Sequence, residues 1–322
     1  MSSHRHRNNH PNGQRTIDSM MSQKSIRLPK KLSAARQALA NVAKETKAVL
    51  PGILQDIPHI QADESEVWSV DALPALDVSN RPNYPQNAAV KVINEDTFNA
   101  ALDLAALHKA PNPTDRGARV AVLNFASDIH PGGGWLNGAV AQEEALCYRS
   151  SLSLSLHKRY YPIAARQGLY TPDVVVIRSA MSNHHALLTP ETKPADLPVV
   201  SVVSIAAIRN PPYKKVSITK GDSTPTTKVV FVKPGDRELT KDKMRLTLRI
   251  SAYKGHSLLV LGALGCGAFH GPVEDIADCW AEVLKEDEFA GGWWKEVWFA
   301  VYDKHDEGNF EIFKNRLGGL LV

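Results

Sequence analysis

The spacing of apolar residues changes several times along the chain between a helical and a strand-like pattern. Over residues 31–48 apolar positions recur every three or four residues, which predicts an amphipathic helix closed by Pro51. Residues 119–125 form a nearly continuous apolar run, typical of a central strand buried on both faces. Between them, residues 50–87 show little periodicity, so we interpret them as a connector.

The same patterns extend over the rest of the sequence. They predict strands at 88–93, 119–125, 174–177, 199–205, 228–232, 257–261 and 297–301, and helices at 95–108, 139–156, 236–253, 273–284 and 309–316. We interpret residues 219–227 as a surface hairpin or insertion. Because strands alternate with helices over most of the chain, the pattern favours an α/β fold with helices on both faces of one sheet.

Composition narrows the class of protein without identifying it. The chain has 322 residues, of which 43% are hydrophobic, as in ordinary globular proteins. No apolar run approaches the roughly 20 residues of a membrane helix, and no signal-peptide core is recognisable. The three cysteines show no paired spacing, so we expect an intracellular protein, cytoplasmic or nuclear, without disulfides or structural zinc.

The net charge of +4 is unevenly distributed. Residues 1–31 hold seven Lys or Arg and one Asp, which leaves 31 basic and 33 acidic side chains, a net charge of −2, in 32–322. We therefore interpret residues 1–28 as a disordered basic tail. The remainder does not have the charge of a nucleic-acid-binding domain.

One stretch, HPGGGWLNGAVAQEE at 130–144, concentrates candidate chemistry. It contains Gly132, Gly133 and Gly134, followed by Gln142, Glu143 and Glu144. A glycine loop of this kind can cradle a phosphate with its N–H groups. Carboxylates beside a phosphate are electrostatically costly, so they suggest acid–base work on a phosphorylated sugar. The alternative is a turn that leads into a helix whose first-turn acids complement its dipole.

A second glycine loop, LGALGCGAFH at 261–270, follows another predicted strand and precedes a helix. Two such loops that converge on one crevice would suit a diphosphate. Phe269 could present a flat face to a sugar or base, or it could fill the core between loop and helix.

Four motifs together resemble the microbial-type poly(ADP-ribose) glycohydrolases. They are Asn-Phe-Ala-Ser at 124–127, Pro-Gly-Gly-Gly at 131–134, Gln-Glu-Glu at 142–144 and Leu-Gly-Cys-Gly-Ala-Phe at 264–269. The resemblance covers roughly residues 31–305. It implies a three-layer α/β/α macrodomain with a mixed central sheet, in which 29–110 form an N-terminal helical extension with the first strand and helix, and 111–322 form the catalytic core.

The resemblance also implies roles for individual residues. Glu144 would be the catalytic acid, and Glu143 would hold the hydroxyls of the terminal ribose. The implied substrate-binding residues are Asn124, Gly132, Gly133, Gly134, Gln142, Gly265, Cys266, Gly267, Ala268, Phe269 and Asp96, the last of these at the adenine. Two pairs depart from the family pattern at the rim of this site, Ala206-Ala207 and His270-Gly271, and they bear on substrate preference.

The expected reaction is exo-hydrolysis of the ribose–ribose bond of poly(ADP-ribose), which releases ADP-ribose. The alternatives are removal of single ADP-ribose units from protein or nucleic acid, and non-catalytic ADP-ribose binding. Adjacent glutamates should diverge rather than straddle a sugar, so we expect one working carboxyl, Glu144. We expect no metal, no cofactor and a monomer.

Several other polar and aromatic residues are interpreted as structural. We expect surface or capping positions for His130, His184, His185, His256, His270 and His305, a helix-surface position for Arg149, and packing roles for Trp293, Trp294 and Trp298.

Overall fold

The computed structural model describes residues 33–84, 87–108, 115–218 and 226–322. The basic tail predicted at 1–28 and most of the insertion predicted at 219–227 lie outside these residues. The strands are β1 (Glu66–Ser69), β2 (Lys91–Ile93), β3 (Val120–Phe125), β4 (Gln167–Val175), β5 (Val199–Ile205), β6 (Tyr213–Ile218), β7 (Thr226–Phe231), β8 (Leu258–Leu261) and β9 (Glu296–Ala300). The α-helices are α1 (Ala34–Gln55), α2 (Thr97–Leu107), α3 (Gln142–Arg149), α4 (Leu152–Ser155), α5 (Pro234–Tyr253), α6 (Val273–Val283) and α7 (Asn309–Leu317).

One mixed sheet organises the described residues. Its strand order is β1-β4-β5-β3-β8-β9-β2, and β6 and β7 form a separate hairpin. The pairs β5–β3, β3–β8, β8–β9 and β9–β2 are parallel, whereas β4 is antiparallel to both β1 and β5. The mixed central sheet implied by the resemblance is confirmed.

Helices cover both faces of this sheet because consecutive side chains of its central strands are apolar, so that both faces are hydrophobic. In β3, Ala121 and Leu123 belong to a core cluster shared with α5, α6 and α7. Val120 and Val122 belong to a second cluster shared with α1, α2 and α3. Alternation along a strand sends neighbouring residues to opposite faces, so the predicted three-layer α/β/α arrangement is confirmed.

The topology also determines where the two glycine loops meet. Four strands pair in parallel in the order β3, β8, β9 and β2. Their carboxyl ends therefore share one edge of the sheet. The loops that follow β3 and β8 contain the two glycine motifs. Ligands of open α/β sheets bind at this edge.

The expected end of the first helix at Pro51 is wrong. Helix α1 continues through Pro51 to Gln55. A proline inside a helix removes one hydrogen bond and costs about 3 kcal/mol. Leu50 and Ile53 are buried on either side of it, in a cluster with β4 and β5 residues, and this burial offsets the cost.

The single helix predicted over 139–156 is also wrong, because it is interrupted at Ser150. Ser150 has an extended backbone between α3 and α4. Its hydroxyl donates to Leu146 O at 2.7 Å and accepts from Leu152 N at 3.2 Å. Ser151 N–H donates to Val175 O at 3.0 Å. Serine side chains and the edge of β4 thus replace the helical hydrogen bonds.

Two strands and the first part of a third were not predicted from the apolar pattern. Strand β1 lies in the predicted connector and is half exposed, and β6 is a mostly exposed hairpin strand. Strand β4 begins at Gln167 instead of 174 because Pro172 and Asp173 interrupt the apolar run. The register shifts between Thr171 and Val174, so the proline lies at a bulge. Asp173 is buried there against the guanidinium of Arg119.

The contact between α1 and the loop before α3 can be tested at a glycine. A Cβ on Gly138, whose φ is +71°, would lie 1.9 Å from the backbone oxygen of Arg36 in α1. Gly308 has a φ of +91° but no heavy atom within 4 Å of its Cβ position. We expect Gly308→Ala to lower the free energy of unfolding by about 1–2 kcal/mol through backbone strain alone. Gly138→Ala should lose about 1–3 kcal/mol more, because α1 must move.

Urea unfolding of the two variants measures this difference. Equal losses at Gly138 and Gly308 would show that α1 does not pack on this loop.

Candidate active site

The two glycine loops border one cavity of about 1580 Å³. All the predicted site residues line it except Asn124 and Gly132. Asn124 is fully buried in β3, and Gly132 lies behind the loop against the ring of Trp135. The sequence motifs therefore converge in space, with two of their residues in supporting positions.

Backbone N–H groups hold the paired carboxylates in place. Helix α3 begins at Gln142, so Glu143 and Glu144 lie in its first turn. The N–H of Gly134 donates to Glu144 Oε1 at 2.8 Å, and that of Ser127 donates to Glu143 Oε2 at 2.7 Å. Both hydrogen bonds come from backbone that is fixed by the fold, so both side chains are oriented before a ligand binds.

The two carboxylates converge instead of diverging as expected. A Cβ built on Gly133 would lie 2.4 Å from Glu144 Oε1 and 3.1 Å from Glu143 Oε2. Both acids reach the same point because the glycine loop folds back over the first turn of α3. Only glycine leaves room there for both carboxylates.

Glu143 is the more deeply buried acid, with 3% of its surface exposed. Burial raises the pKa of Glu143 to about 8, opposed by the Ser127 N–H and reinforced by the charge of Glu144. Glu143 Oε1 and the neighbouring Asn124 Oδ1 are buried acceptors without a hydrogen bond. Both of these atoms are acceptors, so they cannot bond to each other without a hydrogen. A proton on Glu143 supplies the missing donor.

Gln142 borders the cavity, but its side-chain amide is hydrogen-bonded to the surrounding fold. Its Oε1 accepts from Phe125 N at 2.8 Å, and its Nε2 donates to Leu123 O at 2.8 Å and to Thr97 Oγ1 at 3.2 Å. The amide thus ties the start of α3 to the end of β3.

Buried Arg149 forms an ion pair with the partly buried Asp96, which the sequence did not predict. The carboxylate of Asp96 caps α2 by accepting from Phe98 N at 2.9 Å, and it contacts the Arg149 guanidinium. Arg149 is 1% exposed and also donates to Asn99 Oδ1 at 2.9 Å. Burial lowers the pKa of Arg149, while Asp96 opposes that shift. The expected surface position of Arg149 is therefore wrong.

The second loop offers free backbone donors to the cavity. The N–H groups of Gly267, Ala268 and Phe269 make no hydrogen bond with any residue that the structure describes. Phe269 is only partly buried, so it does not fill the core, and the Arg209 guanidinium lies 4.2 Å from its ring centroid. Consecutive free N–H groups of this kind form an anion-binding concavity.

A third loop, after β9, also lines the cavity and was missed from sequence. It includes Tyr302 and Asp303. The Asp303 carboxylate accepts from Glu307 N at 2.7 Å and Phe310 N at 3.1 Å, which folds the loop. Burial tends to raise the pKa of Asp303, but these donors lower it overall. The sequence did contain a signal for this loop, because it directly follows the strand predicted at 297–301, and ligands of parallel sheets bind at the carboxyl ends of the strands.

Two of the six histidines differ from expectation. His185 and His256 are buried, with 4% and 2% of their surface exposed; the other four are exposed. His256 lies 2.9 Å from Tyr170 Oη and 3.0 Å from Arg119 O, and burial lowers its pKa to about 4. It is a core residue. The three tryptophans at 293, 294 and 298 are buried, as predicted.

Over residues 33–84, 87–108, 115–218 and 226–322, no group of three or more His, Cys, Asp or Glu could hold a metal ion. Across those same ranges, every helix is too short or too polar to span a bilayer.

Residues 14–179 match the family described as microbial-type PARG, catalytic domain, where PARG denotes poly(ADP-ribose) glycohydrolase. The chain belongs to the microbial-type PARG family. Enzymes of this family are glycosidases that hydrolyse poly(ADP-ribose), and the resemblance seen in the sequence is confirmed. The match includes the first glycine loop and both glutamates, whereas the second glycine loop lies beyond it.

Solved structures of poly(ADP-ribose) glycohydrolases have a similar fold. Poly(ADP-ribose) glycohydrolase from Thermomonospora curvata is similar with a TM-score of 0.66 and 24% identity, over 87% of this chain and 99% of that chain. The enzyme from Deinococcus radiodurans in complex with ADP-ribose is similar with a TM-score of 0.57 and 25% identity, over 79% and 94% of the two chains. A comparison with curated protein sequences found no match.

The raised pKa of Glu143 predicts how the stability of this PARG depends on pH. The unfolded side chain titrates near 4.5 and the folded one near 8. Between these values the folded chain binds more protons, so Glu143 makes the free energy of unfolding fall as pH rises. Glu143→Gln removes that contribution. Its stability relative to wild type should increase from pH 5 to pH 8, by at most about 1.4 kcal/mol per pH unit.

Urea unfolding at several pH values tests this, with the exposed Glu191→Gln as the matched control. A difference between wild type and Glu143→Gln that stays constant with pH would contradict the raised pKa.

Proposed function

We propose that this PARG releases ADP-ribose units from the ends of poly(ADP-ribose) by hydrolysing the ribose–ribose O-glycosidic bond, with Glu144 as its acid and base. One observation carries the proposal. Glu144 Oε1 is held by the Gly134 N–H, whereas Oε2 makes no hydrogen bond within the described residues and the side chain borders the cavity. A carboxyl group with one oxygen fixed and the other available can deliver a proton in a defined direction.

The reaction then needs one working carboxyl. Protonated Glu144 donates to the glycosidic oxygen as the bond from that oxygen to the ribose anomeric carbon breaks. The substrate diphosphate stabilises the oxocarbenium-like ribose. Carboxylate Glu144 next accepts a proton from the water that attacks the same carbon, and this restores the acid. Glu143, protonated up to a pKa of about 8, offers hydrogen bonds to the ribose hydroxyls instead of acting as a nucleophile.

The two loops divide the substrate between them. The N–H of Gly134 is occupied by Glu144, so the diphosphate binds chiefly to the free N–H groups of Gly267, Ala268 and Phe269. The Phe269 ring, held under Arg209, packs on the ribose. The adenine lies toward Asp96 and the loop after β9, both of which line the same cavity. The ADP-ribose complex of the Deinococcus radiodurans enzyme supports this choice of ligand.

The loop after β9 supports exo-cleavage. The Asp303 carboxylate fixes the turn of this loop through two backbone donors, and in this proposal the fixed loop closes the adenine end of the site against a further ADP-ribose unit. The protein would act as an intracellular monomer. Its three cysteines, Cys147, Cys266 and Cys279, are all buried free thiols, which suits a reducing compartment.

The decisive variant is Glu144→Gln. It keeps the size of the side chain and an oxygen for the Gly134 N–H, but it cannot donate or accept the reacting proton. Removal of a general acid or base typically costs about 10²–10⁴-fold in rate, so we expect a loss of that order in the release of ADP-ribose from poly(ADP-ribose). The affinity for ADP-ribose, measured by calorimetry, should change little.

Product analysis separates the alternatives. Wild type and the exposed-site control Glu191→Gln should release ADP-ribose from the first time point, without short oligomers. Undiminished turnover by Glu144→Gln would remove this residue from the mechanism. Turnover of mono-ADP-ribosylated protein but not of polymer would assign a mono-ADP-ribosyl hydrolase, and binding without turnover of either would assign a reader.

A further inference from the structure

The cavity is larger than one ADP-ribose requires. Its volume of about 1580 Å³ exceeds the roughly 300–1,000 Å³ of ordinary small-molecule sites. Its lining includes Leu39 of α1 together with Leu136 and Val140 from the loop before α3, and this loop contacts α1 through Gly138. The cavity therefore has room for a second ligand moiety beside ADP-ribose.

Two exposed aliphatic side chains lie in the same cavity as Glu144. Leu136 and Val140 are 48% and 64% exposed, and both lie in the short segment between the two residues of the Gly134–Glu144 hydrogen bond. Single exposed aliphatic residues are common on protein surfaces. Here two of them share one cavity with the catalytic carboxyl, and the partly buried Leu39 joins them from another element.

The segment that carries them is held rigidly. Asn137 N and Ala139 N donate to Gly134 O at 2.9 and 3.2 Å. The Tyr148 hydroxyl lies 3.0 Å from Trp135 O and 2.8 Å from Ala139 O and donates to one of them at a time. Gly138 packs directly on the backbone of Arg36. A surface fixed in this way loses little entropy when a ligand binds.

A cation is carried by the part of α1 that contacts the same loop. The Arg36 side chain is exposed and makes no ion pair with any residue that the structure describes. Its backbone touches Gly138, two residues from Leu136 and from Val140. An apolar surface next to a free guanidinium matches a flat base followed by a phosphate.

We propose that Leu39, Leu136 and Val140 form the subsite for the leaving nucleoside, the adenosine of the unit from which ADP-ribose is cleaved, and that Arg36 meets the diphosphate of that unit. The inference rests on the proposed function, because it takes the scissile bond to lie at Glu144. A protein side chain as leaving group would present neither a purine nor a second diphosphate. The subsite therefore favours polymer over mono-ADP-ribosylated protein.

Binding in the Glu144→Gln background tests the subsite without turnover. The two ligands are ADP-ribose, which ends at the ribose, and a dimer of poly(ADP-ribose), which adds the leaving unit. The dimer should bind more tightly than ADP-ribose. Adding Leu136→Ser and Val140→Ser should weaken the dimer about tenfold, as expected for the loss of apolar area that these side chains bury against a base, and should leave the ADP-ribose affinity within about twofold. Arg36→Gln should reduce the salt dependence of dimer binding alone.

Val67→Ser with Val78→Ser, two exposed apolar residues outside the cavity, is the matched control and should change neither affinity. Dimer affinity that is unaffected by the Leu136 and Val140 substitutions, while ADP-ribose still binds, would overturn the subsite. Failure of the proposed function is distinguishable, because ADP-ribose would then not bind or Glu144→Gln would still hydrolyse polymer. Thermal unfolding of each variant confirms that the fold is intact.

Discussion

The hydrogen bond from the Gly134 N–H to Glu144 Oε1, at 2.8 Å, is the contact on which the rest of the site depends. It folds the glycine loop over the first turn of α3 and brings both carboxylates to Gly133. The same loop conformation exposes Leu136 and Val140 at the cavity and packs Gly138 against α1. The proposed proton transfer, the proposed ribose binding and the contact with α1 thus depend on one short loop.

The scaffold supplies this loop with two fixed ends. Strand β3 is buried on both faces and delivers the loop at the carboxyl edge of the sheet, while Gln142 ties the beginning of α3 back to β3 through three hydrogen bonds. Strand β8 delivers the second glycine loop to the same edge. Parallel neighbours therefore make two distant sequence motifs into a single site.

Much of this was readable from sequence, and the exceptions have physical causes. The central strands and both glycine loops were predictable because buried strands and glycine motifs are local signals. The Asp96–Arg149 pair was not, because its partners lie far apart in sequence and a charged helix residue usually faces solvent. Helix α1 passes Pro51 because tertiary burial of Leu50 and Ile53 outweighs local propensity. The division of labour between the loops depends on which N–H groups are already occupied, and no sequence pattern records that.

The burial of Glu143 has one more consequence, which concerns the net charge that an incoming diphosphate meets. Two ionised glutamates side by side would repel such a ligand. Since burial raises the pKa of Glu143 to about 8, this acid is mostly protonated at neutral pH and adds little negative charge to the site. An acidic motif can therefore stand next to a phosphate site because one of its two acids is kept uncharged by the protein interior.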